Sequence, residues 1–143
     1  LQIKEFLKNF IHLNHTPREI ALGIAIGVFI GILPLYGLHA ILALIIALVV
    51  RPANKIAILL GTNISLPPMV PFITWAGYNM GRLMLSKDYP DLSWTMFRNF
   101  SYKDIFALYY PLFLGSLLLG FACAVIFYFL TYQIVLHRHK KMP

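Results

Sequence analysis

Acidic residues are scarce in this chain. Aspartate and glutamate together number 5 among 143 residues, and none lies between Glu19 and Asp88. That gap excludes from this stretch the carboxylate relay that coupled pumps carry inside a membrane. It also leaves no acid there to complete a metal site. His12, His15, His137 and His139 lie toward the ends of the chain without metal-ligand spacing. No metal and no cofactor are therefore expected. Cysteine is nearly absent: Cys123 stands alone in an apolar run, so no disulfide can form within the chain. A buried, inert thiol is its expected state. No serine can be matched with a base and an orienting group, which argues against an enzyme. Charge of either sign is sparse, at 12% of residues against 59% hydrophobic ones, and the mean hydropathy is +0.74. So few charges could not cover the surface of a water-soluble domain.

Long apolar runs take the place of those charges. Leu108 to Leu136 is 29 residues without a formal charge. At about 1.5 Å per residue it can cross a hydrocarbon core of roughly 30 Å. The length allows one domain, so the expected fold is a single all-α integral membrane unit, residues 1–143. The net charge of +7 is carried by residues at the ends and connections of the apolar segments. Contact with anionic headgroups and setting of topology is the expected role. Nucleic-acid binding would need a basic face on a soluble fold, and none is available. Leu1 stands where a start methionine would, so a fragment or processed form is expected, with no cleavable leader.

Helix signals divide the chain. Residues 1–15 place Ile3, Phe6, Leu7, Phe10 and Ile11 opposite Lys4, Glu5 and Lys8. That pattern fits an amphipathic helix lying in the membrane interface, with packing against a soluble partner or a further domain as the alternative. Thr16-Pro17-Arg18-Glu19 is a helix start, with Thr16 as cap, proline preorganised at the first position and Glu19 placed for a capping box. Residues 17–50 then read as a first broken-helix hairpin, interrupted at Pro34-Leu-Tyr36-Gly37, and residues 52–85 as a second, interrupted at Thr62 to Pro67-Pro68. A re-entrant or half-spanning path fits the short arms, and a kinked helix is the alternative. Gly23, Gly27 and Gly31 form a ladder that admits a close backbone, expected to be the returning segment. Gly27 precedes Pro34 by seven residues and Gly61 precedes Pro68 by seven, a faint repeat with an offset of 34. Residues 86–104 read as an aromatic interfacial connection, 105–137 as a transmembrane helix starting near Ile105 or after Pro111, and 138–143 as a basic tail.

Broken helix at membrane depth is tolerated only where protein or a wet cavity covers it, so paired breaks point to a binding site. Pro34, Gly37, Pro67 and Pro68 define the breaks. Beside them, His39 is either a headgroup donor or a neutral ring satisfying a carbonyl freed near Pro34. Thr62, Asn63 and Ser65 either ring a headgroup or cap broken backbone locally. Arg18, Arg51 and Arg82 either clamp a phosphate through the guanidinium fork or snorkel singly to the interface.

A resemblance to a known family rests on particular residues. These are Pro17, then Ala21-Leu-Gly23-Ile-Ala-Ile-Gly27-Val-Phe29-Ile-Gly31-Ile-Leu-Pro34-Leu-Tyr36-Gly37-Leu-His39, Arg51-x-x-Asn54, Gly61-Thr62, Pro67 and Tyr78-x-x-Gly81. Over this half of the chain it resembles the DUF2062 family of small bacterial membrane proteins. That pattern has Asn-Pro where this chain has Leu66-Pro67, and often Gln where it has His39. The resemblance implies a multi-pass protein of the bacterial cytoplasmic membrane in an envelope context, with some members joined to glycosyltransferase-like domains.

The leading expectation is binding of an anionic lipid, a polyprenyl phosphate or a phospholipid, with translocation as its extension. A membrane anchor or scaffold for a glycosyltransferase or other envelope enzyme is the alternative, and a small oligomeric channel a third. The expected partners are membrane lipids, and either a second copy of the chain or a partner membrane protein.

Overall fold

The structure is a computed structural model and describes residues 2, 4–5, 15–35, 37–86, 89–91, 98 and 101–141. The amphipathic segment expected over residues 1–15 lies almost wholly outside the described residues, as does most of the connection over 86–104. Among the described residues the regular structure is helical throughout, without strands. In chain order the helices are α1 (Pro17–Ile32), α2 (His39–Val49), α3 (Lys55–Thr62), a single 3-10 turn (Asn63–Ser65), α4 (Val70–Leu85) and α5 (Tyr102–Lys140).

Local chemistry explains the boundaries. Thr16 accepts from the Glu19 amide while the Glu19 carboxylate accepts from the Thr16 amide, so the capping box that starts α1 is complete. Pro34 cannot supply the amide that the Ile30 carbonyl needs, and α1 ends two residues earlier. Gly37 then turns the chain at φ +84°, a left-handed conformation that a side chain would strain. Asn54 caps α3 by accepting from the Ile56 and Ala57 amides at 2.9 and 3.0 Å. α5 starts at a Ser101–Asp104 capping box. It therefore begins before Pro111 and carries that proline inside, longer at both ends than the sequence suggests.

Glycines decide the packing. A methyl group at Gly23 would lie 2.6 Å from the Ala57 Cβ, one at Gly27 2.7 Å from the Gly61 Cα, and one at Gly31 2.9 Å from Ile64. These partners advance together along both helices, so α1 and α3 run side by side in the same direction. The glycine ladder thus meets α3, and not the immediately returning α2 as the sequence suggests. The reason is that α3 presents small or backbone surface at the right spacing, with Ala57 and Gly61 four residues apart. Gly27 and Gly61, the pair related by the offset of 34, touch each other across the contact.

α2 connects the far end of α1 to the start of α3, where the Asn54 amide donates to the Glu19 carbonyl at 3.0 Å. Its buried residues are Ala43 and Ala47, whereas Ile41, Leu44, Ile45 and Leu48 are each more than half exposed. Small inside and large apolar outside is the reverse of a helix on a water-soluble core, where the large apolar side chains are the ones buried. α3 with its 3-10 turn and α4 meet at a bend of 83°, between a straight span and a closed hairpin. α4 then packs on α5, where methyls at Gly81 and Gly115 would collide with the Pro111 and Gly77 backbones. Only 17% of the most apolar stretch of α5 is buried. It is the one described helix long and apolar enough to cross a membrane alone, and the bent pair qualifies when counted as a single span.

Candidate functional site

Two cavities lie at opposite ends of α1. The first gathers both breaks. Gly31, Leu33 and Pro34 at the end of α1, Gly37 and His39 before and at the start of α2, Ser65 in the 3-10 turn, Thr74 on α4 and Ser116 on α5 enclose about 210 Å³. The two interruptions read from the sequence therefore meet in space, because α1 and α3 run in parallel and end at the same level.

The polar groups here are mostly engaged with backbone. His39 Nε2 donates to the Leu33 carbonyl at 2.7 Å, which leaves Nδ1 of a neutral ring as an acceptor. The Thr62 hydroxyl donates to the Leu59 carbonyl at 2.7 Å, and Ser65 to Thr62 at 3.1 Å. These are the local capping roles. Asn63 is exposed and does not line the cavity. Ser116 was not singled out from the sequence, yet its hydroxyl is buried without a hydrogen-bond partner. A lone serine beside glycine in an apolar helix was the available signal.

The second cavity, about 440 Å³, opens where α1 and α3 begin. His15, Glu19, Arg51, Asn54 and Lys55 line it. Glu19 already serves the capping box and faces His15 Nδ1 at 3.3 Å. Among the described residues, Arg51 and Lys55 take part in no ion pair. Asn54 is 4% exposed, and while its oxygen caps α3 its Nδ2 is buried with no partner. Asn54 and Lys55 are additions to the residues chosen from sequence. Asn54 was visible in the Arg51-x-x-Asn54 motif and as a cap before an apolar helix.

The three arginines do not converge. Arg18 is exposed on the first turn of α1, and Arg51 sits at the neighbouring second cavity. Arg82 lies in the last turn of α4, paired with Asp91, with its guanidinium 6.0 Å from the Tyr78 ring. The Tyr78 hydroxyl donates to the Pro90 carbonyl at 2.6 Å, so Tyr78 and Arg82 together hold the connecting segment against α4. No group of three or more histidine, cysteine or acidic residues among the described residues could hold a metal ion.

A family model described as "Uncharacterized protein conserved in bacteria (DUF2062)" matches residues 2–142. No curated protein and no solved structure matches the chain.

Proposed function

The chain belongs to the DUF2062 family, and we propose that it is a multi-pass protein of the bacterial inner membrane that binds an anionic lipid, a phospholipid or polyprenyl phosphate, by its headgroup. The role proposed is binding and not catalysis. Membrane placement is supported by the inverted burial of α2 and by the largely uncovered apolar α5. The headgroup site is the second cavity, so the chemistry shifts from the breaks to the mouth.

One observation carries this reading. Asn54, whose amide nitrogen is a buried donor with no partner, lines a cavity together with Glu19 and with Arg51 and Lys55, two cations in no ion pair among the described residues. An unmade hydrogen bond on a buried amide costs about 1–3 kcal/mol. A phosphate oxygen would satisfy it while meeting Arg51 and Lys55. Acyl chains would lie on α2, whose exposed Leu48 and Val49 border the same end.

The test is native mass spectrometry of protein released from nanodiscs of phosphatidylcholine containing a minor share of phosphatidylglycerol. Selective retention of phosphatidylglycerol is expected, falling about fivefold for Arg51→Ala or Lys55→Ala, in line with roughly 1 kcal/mol per basic contact. Asn54→Asp keeps the oxygen that caps α3 but replaces the donor with an acceptor, so it should abolish retention without unfolding the protein. Arg82→Ala should retain lipid as the wild type does. Equal retention of both lipids, or indifference to Asn54→Asp, would overturn the assignment.

A further inference from the structure

Besides its two cations and its carboxylate, the second cavity is lined by a side chain of the one type that changes charge near neutral pH. His15 stands directly before Thr16, the cap of α1, and its Nδ1 lies 3.3 Å from Glu19 Oε2. The two side chains are 43% and 37% exposed, so water can deliver and remove the proton. Glu19 is held in place, because the same oxygen accepts from the Thr16 amide in the capping box. Facing this pair across the cavity are Arg51 from the α2–α3 connection and Lys55 from the start of α3. Arg18 is exposed on the first turn of α1. α5 packs its end on the start of α1 through Val135 and Ile20, bringing His137, Arg138, His139, Lys140 and Lys141 to the same end. The lining of the cavity therefore carries one net positive charge while His15 is neutral, and two once it is protonated.

Resting on the headgroup reading above, we propose that His15 and Glu19 form a proton-operated control of that site. Protonated, His15 adds a positive charge and pairs with Glu19, the one carboxylate in the lining that repels a phosphate. Neutral, it offers Glu19 a hydrogen bond only, and the carboxylate keeps its full charge beside Arg51 and Lys55. Both effects have the same sign. Histidine changes charge between about pH 5 and pH 8, so affinity for the headgroup falls as pH rises through that range. A phosphodiester headgroup keeps its single negative charge throughout, which leaves the protein as the source of the response. One added basic contact is worth about fivefold in retention.

The test is retention of phosphatidylglycerol over phosphatidylcholine by the full chain, equilibrated in mixed-lipid nanodiscs at about pH 8 and about pH 5.5, where histidine is largely neutral and largely charged. Wild type should favour phosphatidylglycerol about fivefold more strongly at the acid pH. His15→Gln keeps a donor for Glu19 but cannot take the charge, so it should behave at both pH values as wild type does at the higher one. Glu19→Gln preserves the capping box, where glutamine also serves, and should raise retention at the higher pH toward the acid value. His12→Gln, His137→Gln and His139→Gln should keep the wild-type response. Arg51→Ala should lower retention at both pH values and leave the response in place. Selectivity for phosphatidylglycerol that ignores pH overturns this control and leaves the headgroup site standing, as does a wild-type response in His15→Gln. Equal retention of the two lipids at both pH values ends both readings together.

Discussion

At the scale of single residues, hydrogen-bond bookkeeping separates the polar side chains that hold the fold together from those left to bind. His39 closes the first break by donating to Leu33. His39→Ala should therefore cost about 0.5–1.5 kcal/mol, the net worth of one hydrogen bond, because the Leu33 carbonyl keeps the Leu35 amide. His39→Gln, which can still donate from the same position, should keep most of that stability. Urea titration in mild detergent measures both, and equal losses would show that the ring matters for packing and not for its proton. The sequence offered two roles for His39, Thr62 and Ser65, and it could not choose between them. Which carbonyl a helix break frees, and whether a side chain reaches it, depends on backbone direction after the break. Asn54 and Ser116 are the converse case. Each is legible as a polar residue, but an unpaired donor exists only once its surroundings are known.

Among the elements, two glycine seams carry the architecture, and both exclude even a methyl group. Gly27→Ala would push a Cβ against the Gly61 Cα and the Ile58 carbonyl, and Gly81→Ala would push one into the Pro111 backbone. Overpacking of this kind costs about 1–3 kcal/mol, and more where backbone is the obstacle. Gly37→Ala has open space around it and should lose only about 1–2 kcal/mol from its left-handed backbone. Thermal midpoints of the three variants should rank Gly37→Ala as the mildest. If Gly27→Ala equals it, α1 and α3 are not in the close contact described. The position of the ladder was legible from spacing four residues apart. Its partner was not, because α1 is apolar on every side and periodicity then selects no face.

For the molecule as a whole, charge is segregated by the packing. Ile20 and Val135 share a buried cluster, and Asn54 bonds to Glu19, so the starts of α1 and α3 and the end of α5 lie together. Arg18, Arg51, Lys55, Arg138, Lys140 and Lys141 therefore collect at one end, while Arg82, with its charge met by Asp91, and Lys103, beside Asp104, sit toward the other. In the proposed inner-membrane placement, the positive-inside rule predicts that the collected end faces the cytoplasm. Arg51→Cys and Lys141→Cys in a Cys123→Ala background should both react with a membrane-impermeant maleimide only after the inner face is opened, and Asp91→Cys before it. Labelling of Arg51→Cys and Lys141→Cys from opposite faces would refute this topology. Depth follows from helix length. The 16 residues of α1 rise about 24 Å from the basic end, so in the proposed placement the breaks would sit nearer the far side of a roughly 30 Å core than its centre.

The amino-acid order alone determined the helical, apolar character of the chain, the cap that starts α1, and the positions of both interruptions. Those features follow from local physics: a proline removes its own amide, a threonine caps its own helix, and composition sets whether a surface can meet water. Tertiary structure decided which helix fills the glycine ladder, that Arg82 is paired while Arg51 is in no ion pair among the described residues, and that the two breaks meet at one cavity. These depend on which distant backbone arrives at a given point. Where every face of a helix is apolar, nothing local encodes that arrival, and only the fit of small residues against one another selects it.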